Sequence, residues 1–211
     1  MVICELSNIS KSFKDKNIFN NFSLKIEKGS FLCVTGKSGS GKSTFLNILG
    51  LLENVDSGTI NICGYNDVKP STKNAQDILR NKIGFLFQNF GLIDDKSVGY
   101  NLDLVCKNTS IPKSKWKQKQ EEVLKGLQLN ISLSQKIYNL SGGEQQRVAL
   151  ARLLLKNCEI ILADEPTGSL DVANRDLVLD VLDKLNQEGK TIIMVTHDPY
   201  IVSRYRNTIW L

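Results

Sequence analysis

Apolar residues along this chain gather in short runs, each closed by glycine or by a polar residue. Ile83-Gly84-Phe85-Leu86-Phe87, Ile160-Ile161-Leu162-Ala163 and Thr191-Ile192-Ile193-Met194-Val195-Thr196 are nearly unbroken, as in buried strands. Phe22-Ser23-Leu24-Lys25-Ile26 alternates instead, the pattern of a half-buried strand. Val2 to Ile9 reads as a short strand, followed by Ser10-Lys11-Ser12-Phe13 and a polar loop, and Thr59-Ile60-Asn61-Ile62-Cys63 is strand-like again. Phe31-Leu32-Cys33-Val34 is a further apolar run among these early strands, and the turns between them are too short for helical crossovers, which predicts that they are antiparallel. Asp67 to Lys82 reads as a polar loop with a short helix. Helical patterns cover the stretch after Thr44 to about Leu51, Tyr100–Val105, Lys113–Leu129 with Pro112 at its start, and Val172–Leu185 up to Gly189. Ser141 opens the strongest one: Ser141 and Glu144 make a capping box ahead of Val148, Leu150, Ala151 and Leu154. A last short helix opens at Asp198-Pro199, and Thr208–Leu211 is expected to be an edge strand. Strand and helix alternate through the second half, so the core is expected to be a mostly parallel α/β sheet with polar residues at its strand ends.

Composition narrows the function classes. The 211 residues, 41% hydrophobic and 23% charged, suit one globular domain with a subdomain. A net charge of +5 with no basic block speaks against a nucleic-acid partner, and Lys113, Lys115, Lys117 and Lys119 read as a solvated helix face. The five cysteines are odd in number and form no Cys-x-x-Cys pair. Cys4, Cys33, Cys63 and Cys158 lie in apolar surroundings and read as core residues in a reducing compartment. His197 is the lone histidine, so a zinc site has little to work with. Neither a signal peptide nor a membrane-spanning run is visible, which predicts a cytoplasmic chain whose membrane partner, if any, is another polypeptide.

The chemistry starts at Gly36-Lys37-Ser38-Gly39-Ser40-Gly41-Lys42-Ser43-Thr44, between a strand pattern and a helix pattern. That is the context a phosphate-binding P-loop requires. Glycines let successive N–H groups converge, and the helix opening near Lys42 adds its positive end. Lys42 supplies a cation for the outer phosphates and Ser43 a hydroxyl for Mg²⁺. Gln88, Asp164 with Glu165, and His197 each follow a separate buried run, so a parallel sheet brings them to the same edge. Asp164 suits Mg²⁺, directly or through water, and Gln88 suits Mg²⁺ or water through its amide oxygen. Glu165 suits a base for the attacking water, and His197 a donor to a γ-phosphate oxygen.

Leu140-Ser141-Gly142-Gly143-Glu144-Gln145-Gln146-Arg147 closely resembles the signature motif of ATP-binding cassette (ABC) ATPases. The other motifs follow in family order: Walker A at Gly36–Thr44, a Q-loop at Gln88, Walker B at Ile160–Asp164, Glu165, a D-loop at Ser169-Leu170-Asp171, and a switch at His197. Phe13 stands 23 residues before Gly36, where the family usually has an adenine-stacking aromatic. Ala163–Asp171 and Glu144–Arg147 look most like the macrolide-export and lipoprotein-release group (MacB/LolD type). The family usually continues past the last edge strand, so the chain is either trimmed or naturally short.

The resemblance implies an α/β P-loop NTPase core with an N-terminal antiparallel β-subdomain and a helical signature subdomain. The division it implies is about 1–88 with 157–211 for the ATP-binding core and about 89–156 for the helical part. It further implies ATP and Mg²⁺ as ligands and a homodimer in the ATP-bound state. Ser141, Gly142, Gly143 and Glu144 of one copy would then face ATP on Phe13 and the P-loop of the other, with Asp171 linking the two sites. Residues Phe90 to Leu102 would receive a membrane permease, which places the chain peripherally on the inner face of the cell membrane. Phe90 and Tyr100 are docking contacts or core of the helical subdomain. The function implied is ATP hydrolysis driving export or extraction of a peptide, antibiotic or lipoprotein. The alternative is a non-transport cassette ATPase coupled to cell-envelope or division machinery. A repair- or translation-type cassette is opposed by the single cassette and the lack of a basic arm.

Overall fold

A computed structural model describes residues 1–14, 16–168 and 170–211. Two sheets organise it. A three-stranded antiparallel sheet in the order β2-β1-β4 is built from β1 (Val2–Phe13), β2 (Lys16–Glu27) and β4 (Ser57–Ile62). A five-stranded parallel sheet in the order β5-β6-β7-β3-β8 holds β3 (Phe31–Thr35), β5 (Ile83–Leu86), β6 (Ile160–Asp164), β7 (Thr191–Val195) and β8 (Thr208–Trp210). The helices are α1 (Lys42–Leu49), α2 (Lys73–Asn81), α3 (Val98–Cys106), α4 (Trp116–Gly126), α5 (Gly142–Lys156), α6 (Val172–Gln187) and α7 (Pro199–Arg204), and short 3₁₀ turns at Lys113–Lys115 and Ile137–Asn139 break the stretch before α5. This is an α/β P-loop NTPase fold with an antiparallel β-subdomain.

The parallel core follows the apolar runs. β6 and β7 are buried along their length apart from half-buried Asp164 at the end of β6, and β8 closes one edge beside β3. One expectation fails here. Phe31–Thr35 is not antiparallel to its predecessors; it pairs in parallel with β7 and β8. The short turn at Gly29 hands the chain from one sheet to the other, so turn length did not reveal the partner.

β1 is also longer than its pattern suggests. Asn8 adopts a left-handed φ of 52°, and the registers with both β2 and β4 shift around it. Such a bulge resets the inside–outside alternation. Beyond it Lys11 points inward, buried to 7% exposure, with its ammonium 2.7 Å from Glu53. A lysine at a core position, next to two serines, disguises four further residues of strand.

α3, α4 and α5 pack on one another around Leu102, Leu124, Val148 and Leu150. Cys106, at the end of α3, is fully buried in this cluster, while Cys63 is only half-buried; all five cysteines are free thiols. Lys113, Lys115, Lys117 and Lys119 are exposed, as expected. Among the described residues, no helix is long and apolar enough to cross a membrane.

Candidate nucleotide site

The sheet edge gathers the polar groups. P-loop residues after β3, Gln88 after β5, and Asp164 and Glu165 at the end of β6 line one cleft of about 390 Å³. Because β3, β5 and β6 run parallel, their C-terminal ends open on the same side.

The P-loop is built to present backbone donors. α1 begins after Gly41, which has φ 102° and lends no side-chain cap, so the first N–H groups of the helix are left for an anion. Any side chain at Gly41 would strike Ile18 of β2. Lys42 Nζ donates to the carbonyls of Gly36 (2.9 Å) and Lys37 (3.0 Å), holding the loop curled. The Ser40 hydroxyl is buried and has no hydrogen-bond partner among the described residues. An orphaned hydroxyl within a curl of free N–H groups fits a polyanionic ligand.

Asp164 is half-buried at the mouth of the cleft. Burial pushes its carboxyl above the usual aspartate range, with Glu165 adding to the rise and Ser43 and Lys42 opposing it. Among the described residues, no cluster of three or more His, Cys, Asp or Glu is arranged to hold a metal. Ser43, Asp164 and Gln88 are hard oxygen donors, and such a set fits Mg²⁺, which keeps several waters and shares phosphate oxygens.

Glu165 stands in a left-handed conformation, φ 43°, a strained backbone for a non-glycine residue. Its amide donates to the Val195 carbonyl at 3.0 Å, which ties it to β7. Its Oε1 lies 2.6 Å from His197 Nδ1, and the His197 amide donates to Oε2 at 3.4 Å. His197 itself is exposed and outside the cleft lining. Sequence reasoning expected it to face a phosphate; here its ring is engaged by Glu165.

Phe13 is 44% exposed at the end of β1, and Lys11 Nζ sits 4.7 Å from its ring centroid. Neither Phe13 nor the signature residues line the cleft. Ser141 caps α5 with a complete capping box: Ser141 N–H donates to Glu144 Oε2 at 2.8 Å, and Ser141 Oγ accepts from the Glu144 amide at 3.4 Å. The Ser141 amide and hydroxyl, both donating to Glu144 Oε2 at 2.8 Å, hold the Glu144 carboxyl below its usual range. Gly142 is exposed and Gly143 half-buried, on the first turn of α5.

Asp171 caps α6, accepting from the Asn174 amide at 2.8 Å. Asn174 also joins α5 to α6. Its Nδ2 donates to Asp171 at 2.8 Å, its Oδ1 accepts from Arg147 at 2.9 Å, and a Cβ on Gly143 would come within 2.8 Å of it. Buried Gln146 adds a 2.7 Å bond to the Pro166 carbonyl. Ser169, expected in the D-loop, lies outside the described residues. Phe90 is half-buried against the core cluster, whereas Tyr100 is 43% exposed.

Sequence reasoning missed Lys16, Ile18 and Asn174. Each is one residue in a polar or short stretch, and only the folded hairpin and the α5–α6 contact give it a place. The arrangement as a whole, P-loop, Walker B carboxylates and a capped signature helix, matches a known family. A sequence profile of the ABC transporter family matches residues 19–168.

The chain belongs to the ABC transporter family.

Two curated ABC relatives illustrate the range. The macrolide export ATP-binding/permease protein MacB of Campylobacter jejuni is 41% identical over 97% of this chain and 32% of its own length. An uncharacterized ABC transporter ATP-binding protein of Bacillus subtilis, YvrO, is 38% identical over 98% of this chain and 92% of its own. The chain thus spans about a third of the length of the MacB relatives it matches. Among solved ABC structures, the cassette MJ0796 in a dimeric post-hydrolysis state bound to ADP and Pi superposes with a TM-score of 0.89 at 35% identity, covering 99% of this chain and 94% of that one.

Proposed function

We propose that this chain is a Mg²⁺-dependent ATPase of the ABC type that dimerises around ATP and drives a membrane permease of the MacB kind. The observation that carries the ATPase reading is the single cleft uniting P-loop, Gln88, Asp164 and Glu165. Phe13 takes the adenine on its exposed face, the P-loop N–H groups and Lys42 take the phosphates, and Ser43 and Asp164 hold Mg²⁺, which neutralises phosphate charge when bound. Glu165 accepts the proton of the attacking water, and His197 fixes the Glu165 carboxylate in place.

The signature residues lie outside the cleft of their own chain, which supports a site completed by a second copy. Ser141 and the Gly142-Gly143 turn present a capped helix end to the γ-phosphate of that copy. The dimeric MJ0796 cassette and the MacB name, which joins ATP-binding and permease parts, support the partners. Tyr100, exposed where Phe90 is packed, is the permease contact, and a permease-bound chain works at the inner face of the membrane.

Mixing two inactive variants tests the composite site. Lys42→Ala lacks phosphate binding and Ser141→Arg lacks a usable signature. Together they form one intact site per mixed dimer, so phosphate release should return on mixing. No recovery would refute sites shared between copies.

A further inference from the structure

We propose that Lys16 is a second phosphate-binding cation of the nucleotide cleft, and that the β1–β2 hairpin delivers base and phosphate contacts together. This rests on the ATP reading of the cleft. Lys16 lines that cleft with Lys42 and Ser43. Its Nζ donates to the Gly39 carbonyl at 2.7 Å, and a Cβ on Gly39 would lie 3.2 Å from the same nitrogen. The ammonium therefore rests against the loop whose N–H groups face the phosphates. An ammonium carries three donors, so one bond to Gly39 does not exhaust it.

The hairpin fixes where this charge falls. Phe13 and Lys16 are paired across β1 and β2. Opposed residues in an antiparallel pair put their side chains on one face. A base stacked on Phe13 then runs its phosphates past Lys16 toward Lys42. Two residues on, Ile18 packs where a Gly41 side chain would stand, which holds β2 against the start of α1. Lys16 thus approaches the loop from the β-subdomain, and Lys42 from α1. The cleft also holds the carboxylates Asp164 and Glu165, so a second cation offsets repulsion that the triphosphate would meet.

Calorimetric titration of the full chain with ATP and with inorganic tripolyphosphate tests this, using wild type, Lys16→Met, Lys16→Arg and Lys42→Ala. Lys16→Met should weaken ATP and tripolyphosphate by the same factor, about tenfold for one charge-assisted bond. Its binding should also depend less on salt, and Lys16→Arg should keep most of the affinity. Wild-type affinity in Lys16→Met overturns the proposal, leaving Lys16 a strut for the loop. Weakened ATP with unchanged tripolyphosphate also overturns it, because the residue would then serve the base or ribose. Failure of wild type to bind ATP, or no effect of Lys42→Ala, is a distinct result that overturns the P-loop reading and this proposal with it.

Discussion

Glu165 Oε1 lies 2.6 Å from Nδ1 of His197, across the ends of two neighbouring parallel strands. The contact is between a carboxylate 13% exposed and an imidazole 73% exposed. The imidazole therefore restrains the carboxylate, which is the group nearer the cleft. His197→Ala should lower kcat by about 10-fold or more while leaving the KM for ATP nearly unchanged, as expected when positioning of a base is lost. Steady-state phosphate release checks this. A raised KM with normal kcat would instead give His197 a binding role.

Gly143 tests the bond between the two helix starts. A Cβ there would meet the Asn174 amide at 2.8–3.1 Å. Gly143→Ala should displace Asn174 from Arg147 and Asp171. Overpacking of this kind costs about 1 kcal/mol or more, which lowers Tm by about 2–4 °C in a chain of this size. ATP binding to the monomer should persist, because the P-loop is untouched, while ATP-dependent association weakens. Thermal melts and light scattering on the same variant separate the two effects.

Asp164 gives a pH dependence with a definite sign. Burial raises its carboxyl pKa, so the folded chain holds this proton at pH values where the unfolded chain has lost it. The stability it contributes is present below the ordinary aspartate value and is lost as pH rises through the raised one. Asp164→Asn should therefore melt higher than wild type at neutral pH without nucleotide, with the gap closing toward acid pH. It should also lose Mg²⁺-dependent hydrolysis. A variant less stable than wild type at neutral pH would contradict the desolvation argument.

Much of the fold and of the site was legible, for physical reasons that can be named. The unbroken apolar runs at Ile83–Phe87, Ile160–Ala163 and Thr191–Thr196 became β5, β6 and β7 because only a sheet covered on both faces accepts them. Ser141 and Glu144 announced α5 because a capping box is a local interaction. Glycine spacing announced the P-loop because the backbone curl itself needs it. What was hidden depends on contacts distant in sequence. The bulge at Asn8 and the pairing of buried Lys11 with Glu53 concealed the second half of β1. The sheet that β3 joins is set by β7, which lies far along the chain. Asn174 and Lys16 carry no motif; their places come from α5 and from the P-loop.

The central claim is that ATP joins two copies of this chain until hydrolysis separates them. Glu165→Gln removes the proposed base and its carboxylate charge from the cleft while Lys42, Ser43 and Asp164 remain. Multi-angle light scattering of this variant with ATP and Mg²⁺ measures the claim directly. The account predicts a stable species of twice the 23.6 kDa chain mass, absent without ATP. A variant that binds ATP yet stays at the single-chain mass would contradict it.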